Sequence, residues 1–515
     1  MRAITRLCLP IGIFATTLAA APAQFAPATP PSELGTLATR ERVTFGYVSV
    51  PENRRDPEND RRIRLAVIIV KARASTPEPD PVFYFVGGPG GSATLSSADL
   101  PLFEALNEER DLVFADPRGA GFSIPRLNAP RNARTVADFA SRNFTFLRSI
   151  GVDPSAYNTS EIAADYEDVR LALGYDKINV VASSYGTIVA QEFLRHHSDN
   201  VRALVMSGNS PAPDPFLPTA LEAERIGLLA LFRDVATNRR ARRNYPNLKD
   251  RYFRLVARLD RQPLRFSGTD RQTGRRSTVT ITGSKLLQTT TALLQTTDTI
   301  RLIPLLVQQL ERGQINQLPA RFFAPDSRRR RVDANDAFGM YLSVLATDFA
   351  APNYTAQTAA SVRAEPRPAL RKASGAGLSQ LAAIVEAWDV PYAPGTTRTL
   401  PSSDVKTLLL NGRMDAQTPS SGGAVIAANL SASINYVYPR VGHAVGLIDG
   451  PDLDAAVTFI KTPTRRPRYD VARLLRRDFY ATRQPARGTP AVEDWRERLV
   501  DPPVRPPDLG TAIHP

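Results

Sequence analysis

Cysteine is almost absent from this chain of 515 residues: the single one, Cys8, stands in the first apolar run. Disulfides, a thiolate nucleophile and cysteine-based metal sites are therefore excluded downstream of it. Histidine is scarce too, with four in all. His196 and His197 fall in Gln191-Glu-Phe-Leu-Arg-His-His-Ser-Asp199, the pattern of an exposed helix end, and His514 is next to last in a proline-rich tail. Only His443, in Val441-Gly-His-Ala-Val445, stands where a catalytic base is expected. With so few soft ligands, neither a metal nor a cofactor is expected.

Long hydrophobic runs are also missing, apart from Leu7 to Ala21. That run follows Arg2 and Arg6 and ends in Ala21-Pro-Ala23, which reads as a secretory signal over residues 1–23 with cleavage after Ala23. It is shorter than the roughly 20 apolar residues a spanning helix needs. The mature chain is expected to be exported, to a periplasm or the medium, with no integral membrane span. Cys8 lies too early in the signal, beside its arginines, for a lipoprotein anchor. No internal repeat is visible.

Charge is plentiful and basic: the formal net charge is +14, and losing Arg2 and Arg6 with the signal leaves +12. Clusters at Arg239-Arg-Ala-Arg-Arg243 and Arg328 to Arg331 lack the aromatic or glycine motif of a nucleic-acid module, so they read as solvated loops and no nucleic-acid partner is expected. Weak attraction to anionic envelope surfaces is the expected consequence.

Against this background four features carry chemistry. The β-branched run Lys177-Ile-Asn-Val-Val-Ala182 gives way to helical spacing at Ser184, a small-x-Ser-x-small elbow with Ala182 and Gly186 on either side. In such a turn the nucleophile is held at a strained backbone angle, and its neighbours two away must be small because strand and helix approach closely. Ser183 fails the test, since its +2 neighbour is Tyr185. The strand Pro81-Val-Phe-Tyr-Phe-Val86 runs into Gly87-Gly-Pro-Gly-Gly91, a loop able to aim backbone N–H groups at an oxyanion. No Lys-Ser/Thr follows, as a phosphate loop requires, and Pro89 removes a donor. The expected oxyanion donors are the N–H groups of Gly88 and Tyr185. Asp415 follows the apolar run Lys406-Thr-Leu-Leu-Leu410, and His443 follows Ile434-Asn-Tyr-Val-Tyr438. The chain order Ser184, Asp415, His443 is that of the α/β-hydrolase fold.

The first part of the sheet is expected from six strands, at Val43 to Val50, Arg62 to Lys71, Val82 to Val86, Asp111 to Ala115, Ile178 to Ala182 and Val201 to Ser207, with a helix at Ile162 to Leu173. The expected architecture is thus a mostly parallel central sheet flanked by helices. Residues 40–212 form its first part and 401–462 its second. Between them, over 213–400, apolar residues recur at helical spacing, as in Ala220 to Phe232 and Leu302 to Leu310, which predicts an inserted, mainly helical cap. Residues 463–515 read as a basic, proline-rich extension, partly helical at best.

Gly87-Gly-Pro-Gly-Gly91, Asp116-Pro-Arg-Gly-Ala-Gly-Phe-Ser123, Ser184-Tyr-Gly-Thr187, Asn411-Gly-Arg-Met-Asp-Ala-Gln-Thr-Pro419 and Gly442-His443 together resemble the prolyl and tripeptidyl aminopeptidase group of α/β-hydrolases. The resemblance covers about Val43 to Lys461, patchily in the middle. It implies that Ser184, Asp415 and His443 are nucleophile, acid and base, that Gly88 lends an oxyanion donor, and that residues or short peptides are released from free N-termini. The sequence departs from the group at Val86, where His is usual, and at Ala182, where Gly is usual. The paired cysteines common in secreted members' caps are missing near Val235, Ala241, Ala346 and Val385, so this cap is held by packing alone. An aminopeptidase also needs an anionic group in or near the cap. Asp348, in Leu345-Ala-Thr-Asp348, is one candidate, against the plainer reading of a helix-end aspartate. Two alternatives stay open: an esterase or lactonase on small acyl esters with the same three residues, and a binding protein on a hydrolase scaffold. Oligomeric state is not legible.

Overall fold

The computed structural model describes residues 23–482, apart from 40, 97–100, 128–134, 213–215, 270–273, 275, 316–317, 324–336, 350–351, 393–398, 444 and 448–449. Of the expected signal segment only Ala23 is included. The arginines at 328–331, His514 and the extension beyond 482 lie outside the described residues.

The strands are Phe25–Pro27 (β1), Val43–Pro51 (β2), Arg62–Val70 (β3), Val82–Phe85 (β4), Leu112–Ala115 (β5), Ile178–Ser183 (β6), Val201–Ser207 (β7), Leu264–Thr269 (β8), Arg276–Ile281 (β9), Lys406–Gly412 (β10) and Ser433–Tyr438 (β11). Nine of them form one sheet in the order β1-β2-β3-β5-β4-β6-β7-β10-β11. From β5 to β11 every neighbouring pair is parallel. β1, β2 and β3 extend that sheet antiparallel. The burial patterns follow from this placement. β6 is buried at every position because layers cover both its faces, whereas β2, nearer the edge, alternates.

The pleat sorts side chains onto two faces. On β4, Phe83 and Phe85 join a core with Tyr166, Ile188 and Phe193, while Val82 and Tyr84 face a second core with Phe103, Phe459 and Ile460. The helices Thr159–Ala172 and Tyr185–His197 thus cover one side, and Pro101–Leu106 and Pro451–Lys461 the other.

Between β7 and β10 the chain leaves the sheet and forms mainly helices, among them Phe216–Thr237, Leu248–Arg261, Gly283–Leu293, Ile303–Glu311, Phe338–Val344 and Pro368–Ala387. The earlier helices of this cap have a core of their own, including Leu228, Phe232, Tyr252, Leu255, Leu287 and Leu306, whereas Phe338–Val344 joins the core that holds Phe83 and Phe85. The antiparallel hairpin β8-β9 interrupts the helical pattern. Most of its residues are exposed, so apolar periodicity gives little warning of it. The arginines of Arg239–Asn244 are exposed and only Ala241 is buried. No described helix is long and apolar enough to cross a membrane.

Residues 462–482 form neither helix nor strand; they strap back over the molecule. Tyr436 donates from its hydroxyl to Pro467 O at 2.6 Å, Ala481 N donates to Arg301 O at 3.0 Å, and the Tyr245 hydroxyl donates to Ala481 O. The strap therefore touches both sheet and cap.

Candidate active site

Ser184 sits between β6 and the helix Tyr185–His197 at φ 52, ψ −124, a conformation few non-glycine residues adopt. What holds it there is backbone: Ser184 N donates to Ser207 O at 2.9 Å, and Thr187 N donates to Ser184 O at 2.9 Å. Gly186 is required because a Cβ there would collide with Phe85 O and lie 2.9 Å from Val86 O, on the strand next door. The same close approach brings the Gly87–Gly91 loop, which begins two residues after β4, beside Tyr185. Tyr185 is the first residue of the helix, so its N–H has no carbonyl of its own helix to bond and lies at the positive end of the macrodipole. Gly88, at φ 118, occupies backbone space that a side chain would fill, with Gly91 N at 2.8 Å and Gly90 N at 2.9 Å from the Cβ position.

Asp415 lies three residues beyond β10, and its carboxylate is fully engaged. Oδ1 accepts from Gln417 N at 2.7 Å and Thr418 N at 2.9 Å; Oδ2 accepts from the Thr418 hydroxyl at 2.7 Å and pairs with His443 Nδ1 at 2.8 Å. Both Asp415 and His443 are buried. This arrangement leaves Nε2 as the nitrogen directed away from the acid. The loop after β7 links this pair to the elbow. Ser207 O holds Ser184 N, while a Cβ on the next residue, Gly208, would lie 3.0 Å from His443 Cε1. Ser184, Asp415 and His443 are thus brought to one end of the sheet around Ser207-Gly208. His196 and His197 end the helix Tyr185–His197, near Glu192 and Glu167 respectively.

The Asp116–Ser123 motif supports this site from behind. Asp116 accepts from Ser92 Oγ at 2.9 Å, Thr94 N at 3.0 Å, Thr94 Oγ1 at 2.7 Å and Phe122 N at 2.8 Å, which ties the segment after the glycine loop to the turn after β5. Burial nevertheless pushes its carboxyl above the ordinary range. Arg118, fully buried, forks onto Asp165 at 2.7 and 2.6 Å and donates to Ala156 O at 2.7 Å. Glu161 and Arg54 complete that network.

Sequence reasoning understated Asp348. It lies buried in a single wide turn, Leu345–Phe349, and Oδ2 accepts from Thr159 N at 2.8 Å and Thr159 Oγ1 at 2.6 Å. It therefore helps cap the helix Thr159–Ala172 from 189 residues away, not its own helix. Thr159 Oγ1 in turn lies 2.8 Å from the Tyr185 hydroxyl, and Phe349 packs edge-on against the Tyr185 ring. Burial raises the Asp348 pKa from its ordinary 3.8 to about 6. Burial, with the Asp348 charge, holds the Tyr185 phenol protonated well above its usual range.

The cap reaches the same three loops through glycine-sized gaps. Ala337 N donates to Gly90 O at 3.0 Å, and a Cβ on Gly90 would lie 2.5 Å from Ala337 O. A Cβ on Gly442 would collide with Leu294 O and lie 2.6 Å from Gln295 O. A Cβ on Gly227, in Phe216–Thr237, would lie 3.0 Å from Met414 O and 3.1 Å from Asp415 O. Among the described residues no cluster of His, Cys, Asp and Glu has the geometry to hold a metal ion.

Sheet order, elbow and chain order together define an α/β-hydrolase fold. A model of the alpha/beta hydrolase fold matches residues 80–449, and the chain belongs to that family. It is 30% identical over 181 residues to the putative hydrolase YuaR of Escherichia coli K12, covering 32% of this chain and 35% of that one. It is 27% identical over 195 residues to the serine protease Hip1 of Mycobacterium tuberculosis, covering 33% and 36%. It is 28% identical over 188 residues to the tripeptidyl aminopeptidase of Streptomyces coelicolor, covering 32% and 34%. The chain spans about a third of the length of these relatives.

Proposed function

We propose that this chain is an exported serine hydrolase that releases residues or short peptides from free peptide N-termini. Ser184 is its nucleophile, His443 its base, Asp415 its acid, and the N–H groups of Gly88 and Tyr185 its oxyanion donors. The observation that carries the reading is the buried Asp415–His443 hydrogen bond of 2.8 Å, set beside the Ser207-Gly208 turn that also fixes the backbone of Ser184. The names of the serine protease and the tripeptidyl aminopeptidase among its relatives support the peptidase class. Export rests on the pattern of residues 1–23 alone.

In this mechanism Ser184 Oγ attacks the scissile carbonyl carbon as His443 Nε2 takes its proton. Asp415 keeps the Nδ1 proton in place and stabilises the imidazolium. The carbonyl electron pair moves to oxygen, where each backbone donor contributes about 10²–10³-fold in rate. As the tetrahedral intermediate collapses, the C–N bond breaks and His443 returns the proton to the leaving amine. Water, deprotonated by the same imidazole, then hydrolyses the acyl-enzyme.

A fluorophosphonate probe tests the chemistry independently of substrate choice. The folded protein is expected to be labelled on Ser184, with labelling lost in Ser184→Ala. Absence of labelling on folded wild type, or labelling that survives the substitution, overturns the assignment.

A further inference from the structure

Arg440 stands three residues before His443 and is almost fully buried, at 4% exposure. An arginine seldom goes inside unless its charge is paired and its donors used. Nε donates to Asp234 Oδ2, on the cap helix Phe216–Thr237, at 2.8 Å. Nη1 donates to Leu474 O and Arg476 O of the C-terminal strap, each at 2.8 Å. The rings of Phe479 and Tyr480 lie over the guanidinium at 4.9 and 5.7 Å, and the Tyr480 hydroxyl donates to Asp234 Oδ2 at 2.7 Å. One cation therefore gathers cap, strap and histidine loop. The backbone shows the constraint: Arg440 is held at φ 59, in the left-handed region that a residue with a Cβ rarely enters.

The residues on either side of Arg440 carry that constraint into the candidate site. Tyr438 O accepts from Arg413 N at 2.9 Å and Val441 O accepts from Met414 N at 3.0 Å, so the acid loop is bonded to the backbone flanking Arg440. Gly412 packs against Val441 and Gly442 closely enough that a Cβ there would collide with Gly442 O. The backbone at Arg440 is thus part of the contact between the loop that bears His443 and the one that bears Asp415.

We propose that Arg440 is a positioning residue for the hydrolytic site: clamped by Asp234 and by the strap carbonyls of Leu474 and Arg476, it fixes the loop that aligns His443 with Asp415. The C-terminal strap is then part of the frame of the site. This rests on the reading of Ser184, His443 and Asp415 as the reacting groups. Its requirement is geometric: Arg440 touches no reacting atom, and its fork of donors is what the strap carbonyls need.

The test uses full-length protein with Asp234→Asn, Tyr480→Phe and Arg440→Lys beside wild type. Two quantities are read: turnover of a Ser184-dependent amide or ester, and the downfield 1H resonance of the His443 Nδ1 proton in 15N-histidine-labelled protein. Asp234→Asn keeps the shape but removes the countercharge. It is expected to lower kcat about tenfold with KM within about twofold, and to shift or broaden the downfield resonance, because misplacement remote from the chemistry acts on alignment before binding. Arg440→Lys should do the same or more, and Tyr480→Phe less. A lowered melting temperature with kcat and the resonance unchanged would make the clasp merely structural and overturn the proposal. If wild type shows the resonance but no Ser184-dependent turnover, the functional reading fails, and the resonance in the variants alone decides whether Arg440 sets the His443–Asp415 geometry.

Discussion

Core and cap both hold the segments around the candidate site, but by different means. On the core side the elbow is fixed by regular structure: Ser184 follows β6 directly, and Ser207 at the end of β7 accepts its N–H. On the cap side the contacts come from far along the chain. Ala337 meets Gly90, Leu294 and Gln295 meet Gly442, Gly227 meets Met414 and Asp415, and Asp348 meets Thr159. The first arrangement is a strained turn held by a sheet. The second is a surface docked backbone to backbone, with glycines making the room. A strand–helix turn thus suffices to hold Ser184 in its strained conformation, whereas the second layer fits the surrounding loops to within a methyl group.

The comparison breaks most sharply at the two kinds of glycine. Gly186→Ala drives a Cβ into Phe85 O inside the core and is expected to remove activity by more than about 10²-fold, together with much of the folded protein. Gly442→Ala drives one into Leu294 O across the core–cap boundary. There the cap can shift while the sheet persists, so the far-ultraviolet circular dichroism should be retained while turnover falls about tenfold or more. Equal loss of folded protein in the two variants would erase the distinction.

A second contrast is energetic. Asp165→Asn removes both arms of the carboxylate fork from the fully buried Arg118 guanidinium and leaves it the single ion pair with Glu161, and should cost about 3 kcal/mol in denaturant unfolding. On the cap side Asp348 titrates. Its folded-state pKa is raised to about 6, so the native protein binds more protons than the unfolded chain between about 4 and 6, and stability falls as pH rises through that window. Asp348→Asn has no such titration. The stability of wild type relative to the Asn variant should therefore be greatest near pH 4 and decline by on the order of 2–3 kcal/mol by pH 7. A pH-independent difference would contradict the burial argument.

This contrast also explains what the sequence disclosed. The elbow, the glycine loop and the ends of β10 and β11 are local signals, since a β-branched run, a small-residue spacing and a turn suffice to place them. The observed strands differ from the expected ones by a residue or so at their ends. The sequence offers Asp348 as a candidate amine-binding carboxylate or a helix-end aspartate but not its partner, because Thr159 is 189 residues away, which no spacing reports. Arg440 gave no signal for the same reason: Asp234 lies 206 residues before it, and the strap carbonyls belong to a stretch with no periodicity. The short edge strand β1 and the hairpin β8-β9 were missed because three residues, or a mostly exposed pair of strands, carry too little apolar pattern.

The central claim, Ser184-dependent hydrolysis at free peptide N-termini, is tested most directly with fluorogenic prolyl, alanyl and tripeptidyl amides offered with free and acetylated N-termini, beside a short-chain aryl ester, to wild type and Ser184→Ala. Wild type is expected to turn over free-amine amides and to lose the acetylated ones, and Ser184→Ala should fall by on the order of 10⁴–10⁶-fold. Equal turnover of blocked and free amides, ester turnover alone, or activity that survives Ser184→Ala would contradict it.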